Sequence, residues 1–325
     1  MSAFSWLFVG NGVIARRVAG ELGKGRILGV TGRTPEHTRA FAHNYGCRAF
    51  SDLSEALEAG GFDAAYVNAP NRAHFELSRQ CLLAGLPVLT EKPVTLNAAE
   101  AEELIRLSKE RRVFFCEGMW TRFSPIIQEV VRRVRAGELG KIRLLRADFC
   151  YPYRLSGFSQ RVFDPEGGGA LMDAGIYTLS FCQSLLGLPG DFSVRTRKNG
   201  EGIDLFDEIE GVGPEGAEFR LRCSIDRLSL CRAEIRGTRG KISIPLFFKP
   251  VKAVFRGQKR ETMRSRRGFC WEFEAVERAV RAGEIECAQM PHADSLAVMR
   301  WCDAIRKKAG IVFPSEQVQK KDRTC

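Results

Sequence analysis

A lysine, an aspartate, a tyrosine and a glycine turn are spaced for chemistry in this 325-residue chain. Lys92 lies in Glu91-Lys92-Pro93, directly after the apolar run Leu86-Pro87-Val88-Leu89-Thr90. That spacing puts an ammonium group at the carboxyl end of a buried strand, where open α/β sheets bind their ligands. Pro93 fixes its own φ and restrains the residue before it, so the lysine leaves the strand in a defined direction. Alone, the triplet reads first as a solvated lysine in an ordinary turn, because surface lysines are the rule.

Its partners decide the matter. Gly10-Asn11-Gly12-Val13-Ile14-Ala15 follows Trp6-Leu7-Phe8-Val9 and opens a helical segment from Val13 to Leu22. Glycines there permit a tight turn and let the backbone approach a pyrophosphate, which rests on the helix N-terminus among amide groups. The second strand ends in Val30-Thr31-Gly32-Arg33-Thr34. A carboxylate at this point would bind an unmodified ribose, whereas the Arg33 guanidinium suits a 2'-phosphate, so NADP is expected rather than NAD, with Thr31, Thr34 and His37 as helpers.

Downstream, Gly167-Gly168-Gly169 breaks regular structure before Ala170-Leu171-Met172-Asp173-Ala174-Gly175-Ile176-Tyr177 begins a helix. Asp173 and Tyr177 are four residues apart and so share one helical face. Hydride transfer between a carbinol and nicotinamide needs a group that takes or returns the hydroxyl proton and another that holds the oxygen. A tyrosine beside a lysine can do this, since both titrate near 10 and neighbouring cations draw that value down. Lys92 and Tyr177 are the candidate pair, and Asp173 would orient a substrate hydroxyl or balance the lysine charge. Separately, each residue also reads as structural, Asp173 as a helix-start acid and Tyr177 as a partly buried aromatic.

The elements that must position these groups fall into two domains, expected as 1–118 and 119–325. From Phe4 to Cys116 short apolar runs alternate with helical periods, which predicts βα units on a doubly wound parallel sheet. The strands are expected at Ser5 to Val9, Arg26 to Thr31, Ala64 to Asn68, Pro87 to Thr90 and Val113 to Cys116. Helices are expected over Arg72 to Ala84 and Asn97 to Arg111, the second with Asn97 as N-cap and Glu100 completing a near capping box. Beyond Gly118, a helix from Pro125 to Arg135 and alternating segments predict an α+β domain with a large, mainly antiparallel open sheet. Its strands are expected at Ile142 to Cys150, Phe192 to Arg197, Phe219 to Ile225, Cys231 to Arg236, Lys241 to Pro245 and Ala253 to Arg256. Helices are expected near Ala170 to Leu186, Phe273 to Ala282 and Ala293 to Lys307. The overall class is α/β. Such a sheet has one face to hide, which predicts self-association, and residues 315–325 read as a loose tail.

Composition sets the remaining bounds. At 44% hydrophobic and 27% charged residues the chain is that of a soluble globular protein. No apolar stretch is long enough to span a membrane and the N-terminus is not that of a signal peptide, so a cytoplasmic location is expected. Eleven cysteines without a C-x-x-C pair argue for a reducing compartment, and His37, His43, His74 and His292 lack metal-ligand spacing. The net charge of +11 favours anionic ligands. Even so, the clusters at Arg132 to Arg135 and Arg256 to Arg267 lack interleaved aromatics and read as solvated faces, not as a nucleic-acid site.

Taken together, the Gly10 to Ala15 loop, Tyr66-Val67-Asn68-Ala69-Pro70-Asn71 before His74, Glu91-Lys92-Pro93 and the Gly167 to Tyr177 segment resemble one family: the glucose-fructose oxidoreductase, inositol dehydrogenase and rhizopine-catabolism (Gfo/Idh/MocA) oxidoreductases. Within it, Glu117 to Phe123, Phe163-Asp164-Pro165-Glu166 and a tyrosine at 177 look most like the dihydrodiol and NADP-dependent D-xylose dehydrogenase branch. The resemblance implies that Lys92 is catalytic and that its proline is commonly cis. It also implies that Asn68, Ala69, Pro70, Asn71 and His74 lie along the nicotinamide half of the cofactor, with Glu91 and Lys92 beside it. Gly10, Asn11, Gly12, Val13, Ile14, Thr31, Gly32 and Arg33 complete the expected cofactor contacts. Trp120, Arg122, Tyr151 and Phe163, together with Phe149, are expected substrate-side residues that read equally as core. The implied protein is a homodimer, or a higher homo-oligomer joined through the C-terminal sheet. It would oxidise or reduce a carbinol or carbonyl of a cyclic diol or pyranose-type sugar. The alternative is a regulator or sensor that binds nicotinamide without turnover.

Overall fold

The structure, a computed structural model, describes residues 3–155, 159–266 and 268–316, so the expected tail lies outside the described residues from 317 onward, as does Arg267 of the second basic cluster. The chain forms two compact units, Met1–Trp120 with Gly268–Leu296 and Thr121–Arg267 with Ala297–Cys325.

The first unit is built on six parallel strands: β1 (Trp6–Val9), β2 (Ile27–Thr31), β3 (Arg48–Phe50), β4 (Ala64–Val67), β5 (Val88–Glu91) and β6 (Phe115–Gly118), in the order β3-β2-β1-β4-β5-β6. The order reverses at β1, so the carboxyl ends of β1 and β4 flank the switch point where such sheets bind ligands. β1, β4, β5 and β6 are buried along their whole length; β1 and β4 are apolar throughout, while β5 and β6 also bury Glu91 and Glu117. β3 has only three residues at the sheet edge and carries no periodic signal. The Ala98–Arg111 helix starts as expected: Asn97 Oδ1 accepts the Glu100 N–H at 3.0 Å. Glu100 reaches back to the N–H of Leu96 at 3.1 Å, one residue before the cap.

Residues 268–296 return to this unit through the Cys270–Arg281 helix. Phe273 meets Trp6 and Tyr66 edge-on, with centroids 4.8 and 5.0 Å apart. Each such pair contributes roughly 1 kcal/mol beyond its buried area. Glu277 accepts the Trp6 indole N–H at 3.0 Å and also pairs with Arg26.

The second unit carries an eight-stranded sheet. Its strands are β7 (Ile142–Cys150), β8 (Asp191–Lys198), β9 (Asp204–Val212), β10 (Glu218–Ser224), β11 (Ala233–Gly237), β12 (Lys241–Ile244), β13 (Lys252–Arg256) and β14 (Arg260–Arg264). Their order is β14-β13-β12-β11-β7-β10-β9-β8, and every pair is antiparallel except β10 with β7. The Ile176–Leu186 helix packs on β7 and β10. Two strands escape sequence reading. β9 is acidic and so poor in strand formers that its pattern is masked. β14, expected as a solvated charged face, is an exposed, charged strand at the edge of the sheet.

The outward face of β8, β9 and β10 is charged. Glu208 sits directly across from Arg195 and Arg222 and pairs with both, and Arg220 lies 3.7 Å from Glu210. This part of the sheet presents a charged ladder.

Candidate active site

In the first unit the glycine turn is held from both sides. The Gly10 N–H donates to the Thr31 carbonyl at 2.9 Å. Gly10 adopts φ +129°, and a Cβ there would lie 2.5 Å from Asn68 Oδ1, so only glycine fits. Asn11 Nδ2 donates to Thr38 Oγ1 at 2.8 Å, and a Cβ on Gly32 would meet that same nitrogen at 2.4 Å. Thus Asn11 and Gly32 are mutually fitted, and Thr31 contributes its backbone carbonyl to the turn.

Gly12 is the N-cap of the Val13–Leu22 helix, and a Cβ added to it would meet nothing within 4 Å. Val13 and Ile14 form the first turn, leaving their amides at an open helix N-terminus. Asn68 is buried with Nδ2 on the Tyr66 carbonyl at 3.1 Å, while its Oδ1 has no hydrogen-bond partner beside the Gly10 cradle. An open amide cradle next to an unsatisfied acceptor fits a dinucleotide. Arg33 is exposed just beyond β2, with Thr34 beside it capping the Pro35–Tyr45 helix.

The second fixed corner follows β5. The Lys92-Pro93 peptide is cis. Glu91 and Lys92 are both buried. Glu91 Oε1 accepts the Tyr66 hydroxyl at 2.6 Å and Oε2 accepts the Lys92 N–H at 3.2 Å. His74 is fully buried, its Nδ1 2.8 Å from the Pro93 carbonyl and its Nε2 2.9 Å from the Ala69 carbonyl. It therefore straps the 68–71 loop, which includes Pro70 and the buried Asn71, to the lysine corner. Glu117 Oε1 accepts the Val94 N–H at 3.2 Å just beyond.

In the second unit, the expected helix over Ala170 to Leu186 begins with a π-helical turn, Leu171–Gly175, before the regular Ile176–Leu186 helix. Such insertions recur at functional sites. Asp173 lies in the π-turn and Tyr177 in the first turn of the helix, both buried. Arg161 donates to Asp173 Oδ1, so within this unit the charge that Asp173 balances is an arginine's. Tyr153 also bonds to Asp173. Burial, then the charge of Asp173 and the neighbouring Tyr177, push the Tyr153 hydroxyl far above its ordinary value of 10, so it stays protonated and donates. Tyr177 packs edge-on against Phe149 at 5.5 Å, and Phe149 stacks on Phe248 at 4.0 Å.

The other candidates are scattered. Trp120 belongs to the first unit, buried against Phe269 at 5.0 Å. Arg122, expected at a pocket entrance or wall, is a buried brace on the Tyr177 helix. Its Nε and Nη2 donate to Ser180 Oγ and the Ser180 carbonyl, each at 2.8 Å, and Nη2 also reaches Gln183 Oε1 at 2.6 Å. Tyr151 is 41% exposed and edge-on to Tyr153, and the Phe163 ring lies under Arg154. Tyr153 and Arg161 escape sequence reading because β7 ends at Cys150 and a 3₁₀ turn, Tyr153–Leu155, replaces its alternation. Only their chain proximity to Tyr151 and Phe163 pointed toward them.

A glycine cradle at the switch point of a parallel sheet and a lysine corner beside it define a dinucleotide-binding oxidoreductase domain; a second, sheet-based unit carries the tyrosine. The chain belongs to the GFO/IDH/MocA family. Residues 4–119 match the oxidoreductase family with an NAD-binding Rossmann fold, and residues 127–243 match the GFO/IDH/MocA C-terminal domain. It is 27% identical over 333 residues to trans-1,2-dihydrobenzene-1,2-diol dehydrogenase of Mus musculus, covering 97% of this chain and 99% of that one. It is 30% identical over 310 residues to the scyllo-inositol 2-dehydrogenase (NADP(+)) of Bacillus subtilis, covering 90% and 92%. Among solved structures, a 3-ketoreductase from Actinomadura kijaniata with NADP and TDP-benzene superposes with TM-score 0.83 at 24% identity, covering 94% and 98%. An aldose-aldose oxidoreductase from Caulobacter crescentus gives TM-score 0.82 at 20% identity, covering 95% and 98%. At these identities the two structures show a shared fold.

Proposed function

We propose that this protein is an NADP-dependent oxidoreductase that interconverts a carbinol and a carbonyl on a cyclic diol or pyranose-type sugar, with residues 1–118 binding the cofactor and 119–325 the substrate. The observation that carries the reading is the Asp173, Tyr153 and Tyr177 cluster. Tyr153 keeps its proton directed at Asp173, and Tyr177, buried beside them in the first turn of the helix, is read as the tyrosine that exchanges a proton with substrate.

When bound, the dinucleotide supplies the hydride acceptor or donor. In the oxidation direction Tyr177, as its phenolate, takes the hydroxyl proton at its Oη, and the Lys92 ammonium favours the negative charge that develops on the substrate oxygen as the proton leaves. In the reverse direction Tyr177 returns that proton. Asp173, held by Arg161 and Tyr153, accepts from a substrate hydroxyl and sets its orientation. The exposed Arg33, and the absence of a carboxylate in the Thr31-Gly32-Arg33-Thr34 turn, support a 2'-phosphate. The NADP(+) dependence named for the Bacillus subtilis relative supports the same choice.

No helix among the described residues is long and apolar enough to cross a membrane, and a cytoplasmic location is part of the proposal. So is self-association through the C-terminal sheet, whose charged face suits a polar interface; a single-chain mass by light scattering at millimolar protein would remove it.

Fluorescence titration with NADPH, followed by a panel of dihydrodiols, inositols and aldoses in both directions, tests the reading. NADPH binding with turnover on one such class is expected. Binding without turnover on any would favour the regulator or sensor.

A further inference from the structure

The π-turn between Gly169 and Gly175 rests on two buried aspartates for which the proposed chemistry has no use. Asp204, at the start of β9, accepts the Leu171 N–H on Oδ2 at 2.6 Å. Gly169 adopts φ +99°, and a Cβ there would lie 2.0 Å from Asp204 Oδ1; the Asp204 carboxylate fills the place of a side chain. One residue beyond Leu171's neighbour, the Asp173 N–H donates to the Gly169 carbonyl at 3.2 Å. The amino end of the turn is thus set by Asp204.

Its carboxyl end has a matching seat. Asp207 sits between Thr196 on β8 and Cys223 on β10, its direct cross-strand neighbours. Thr196 Oγ1 donates to Asp207 Oδ1 at 2.8 Å, and Cys223 Sγ lies 3.6 Å from Oδ2. A Cβ on Gly175 would come within 3.0 Å of Cys223 Sγ, so this glycine lets the turn settle onto the sulfur. Asp204 and Asp207 are 1% and 0% exposed. Burial first, and the charge and hydrogen bond of Asp204 second, push the Asp207 carboxyl well above its ordinary range.

We propose that Asp204 and Asp207 are positioning residues: they seat the π-turn on the sheet and so fix Asp173 and Tyr177 in the geometry that the substrate meets. The inference rests on the reading of Tyr177 as the proton-exchanging group. Its effect should fall on the chemical step and not on cofactor binding, because the pair lies in the second unit and the glycine cradle in the first.

A double-mutant cycle on the full-length enzyme tests it, reading kcat, KM, NADPH Kd and Tm. Asp204→Ala is expected to lower kcat roughly 10- to 100-fold with NADPH Kd unchanged, as small misplacements of reacting groups do. Asp204→Asn, whose carboxamide oxygen can still accept from Leu171, should recover kcat to within about threefold. In a Tyr177→Phe background Asp204→Ala should lower Tm as before yet cost no further kcat. If the two kcat effects multiply, or if Asp204→Ala lowers Tm alone, the positioning role is overturned. Should the alanine variant fail to fold, Asp204→Ser, too short to reach Leu171, decides the question on the same readouts. A Tyr177→Phe variant with wild-type kcat would instead overturn the underlying assignment, which separates the two failures.

Discussion

Tyr66 donates a 2.6 Å hydrogen bond to Glu91, the residue immediately before Lys92. Both partners are buried, and the Tyr66 ring is held edge-on by Phe8 and Phe273 at 5.0 Å each. The bond fixes the acid from below, and the acid's other oxygen takes the Lys92 amide. Tyr66→Phe keeps the packing and removes the donor. It should cost about 1–3 kcal/mol, because a buried carboxylate loses a partner. Thermal unfolding should show a lower Tm, and kcat should fall several-fold as the lysine corner loosens. An unchanged Tm would mean that the bond does not hold this corner.

In the proposed function Arg33 sets the preference for NADP. Arg33→Ala should raise KM for NADPH by roughly 10- to 100-fold, the size of a lost charge-assisted contact, while KM for NADH stays within about threefold. Steady-state kinetics with both cofactors checks it. Equal changes for the two would place the 2'-phosphate elsewhere.

Glu272 gives the first unit a pH dependence. It is fully buried beneath Gly118, and neither carboxylate oxygen has a hydrogen-bond partner. Burial, followed by the charges of Glu91 and Glu21, raises its carboxyl well above the ordinary 4.5. The folded protein therefore keeps a proton that the unfolded chain loses above pH 4.5. The stability this provides is complete below that pH and is lost as pH rises toward the raised value. Glu272→Gln mimics the protonated acid at every pH. Its Tm should match wild type near pH 4.5 and exceed it increasingly toward pH 8, by about 2–4 °C for each kcal/mol recovered. A constant gap across that range would contradict the assignment.

How much of this was legible in the chain depends on distance along it. The glycine turn, the N-cap at Asn97 and the lysine corner are local patterns, and they stand where their spacing placed them. The partners of Asp173 are not local in any periodic sense. Arg161 and Tyr153 reach it from irregular segments, and no alternation marks which way their side chains face. Arg122 was expected on the substrate side through the family resemblance alone; its partners Ser180 and Gln183, nearly sixty residues on, leave no local signal in the chain. β9 was hidden by its own acidity, and two of those acids, Asp204 and Asp207, are buried against the π-turn.

The most direct test of the central claim is the turnover of Tyr177→Phe, measured beside its NADPH affinity. The substitution keeps the ring against Phe149 and removes only the hydroxyl. Loss of a proton-transferring group should lower kcat by roughly 10² to 10⁴-fold and leave NADPH Kd nearly unchanged. Wild-type turnover in that variant would contradict the account.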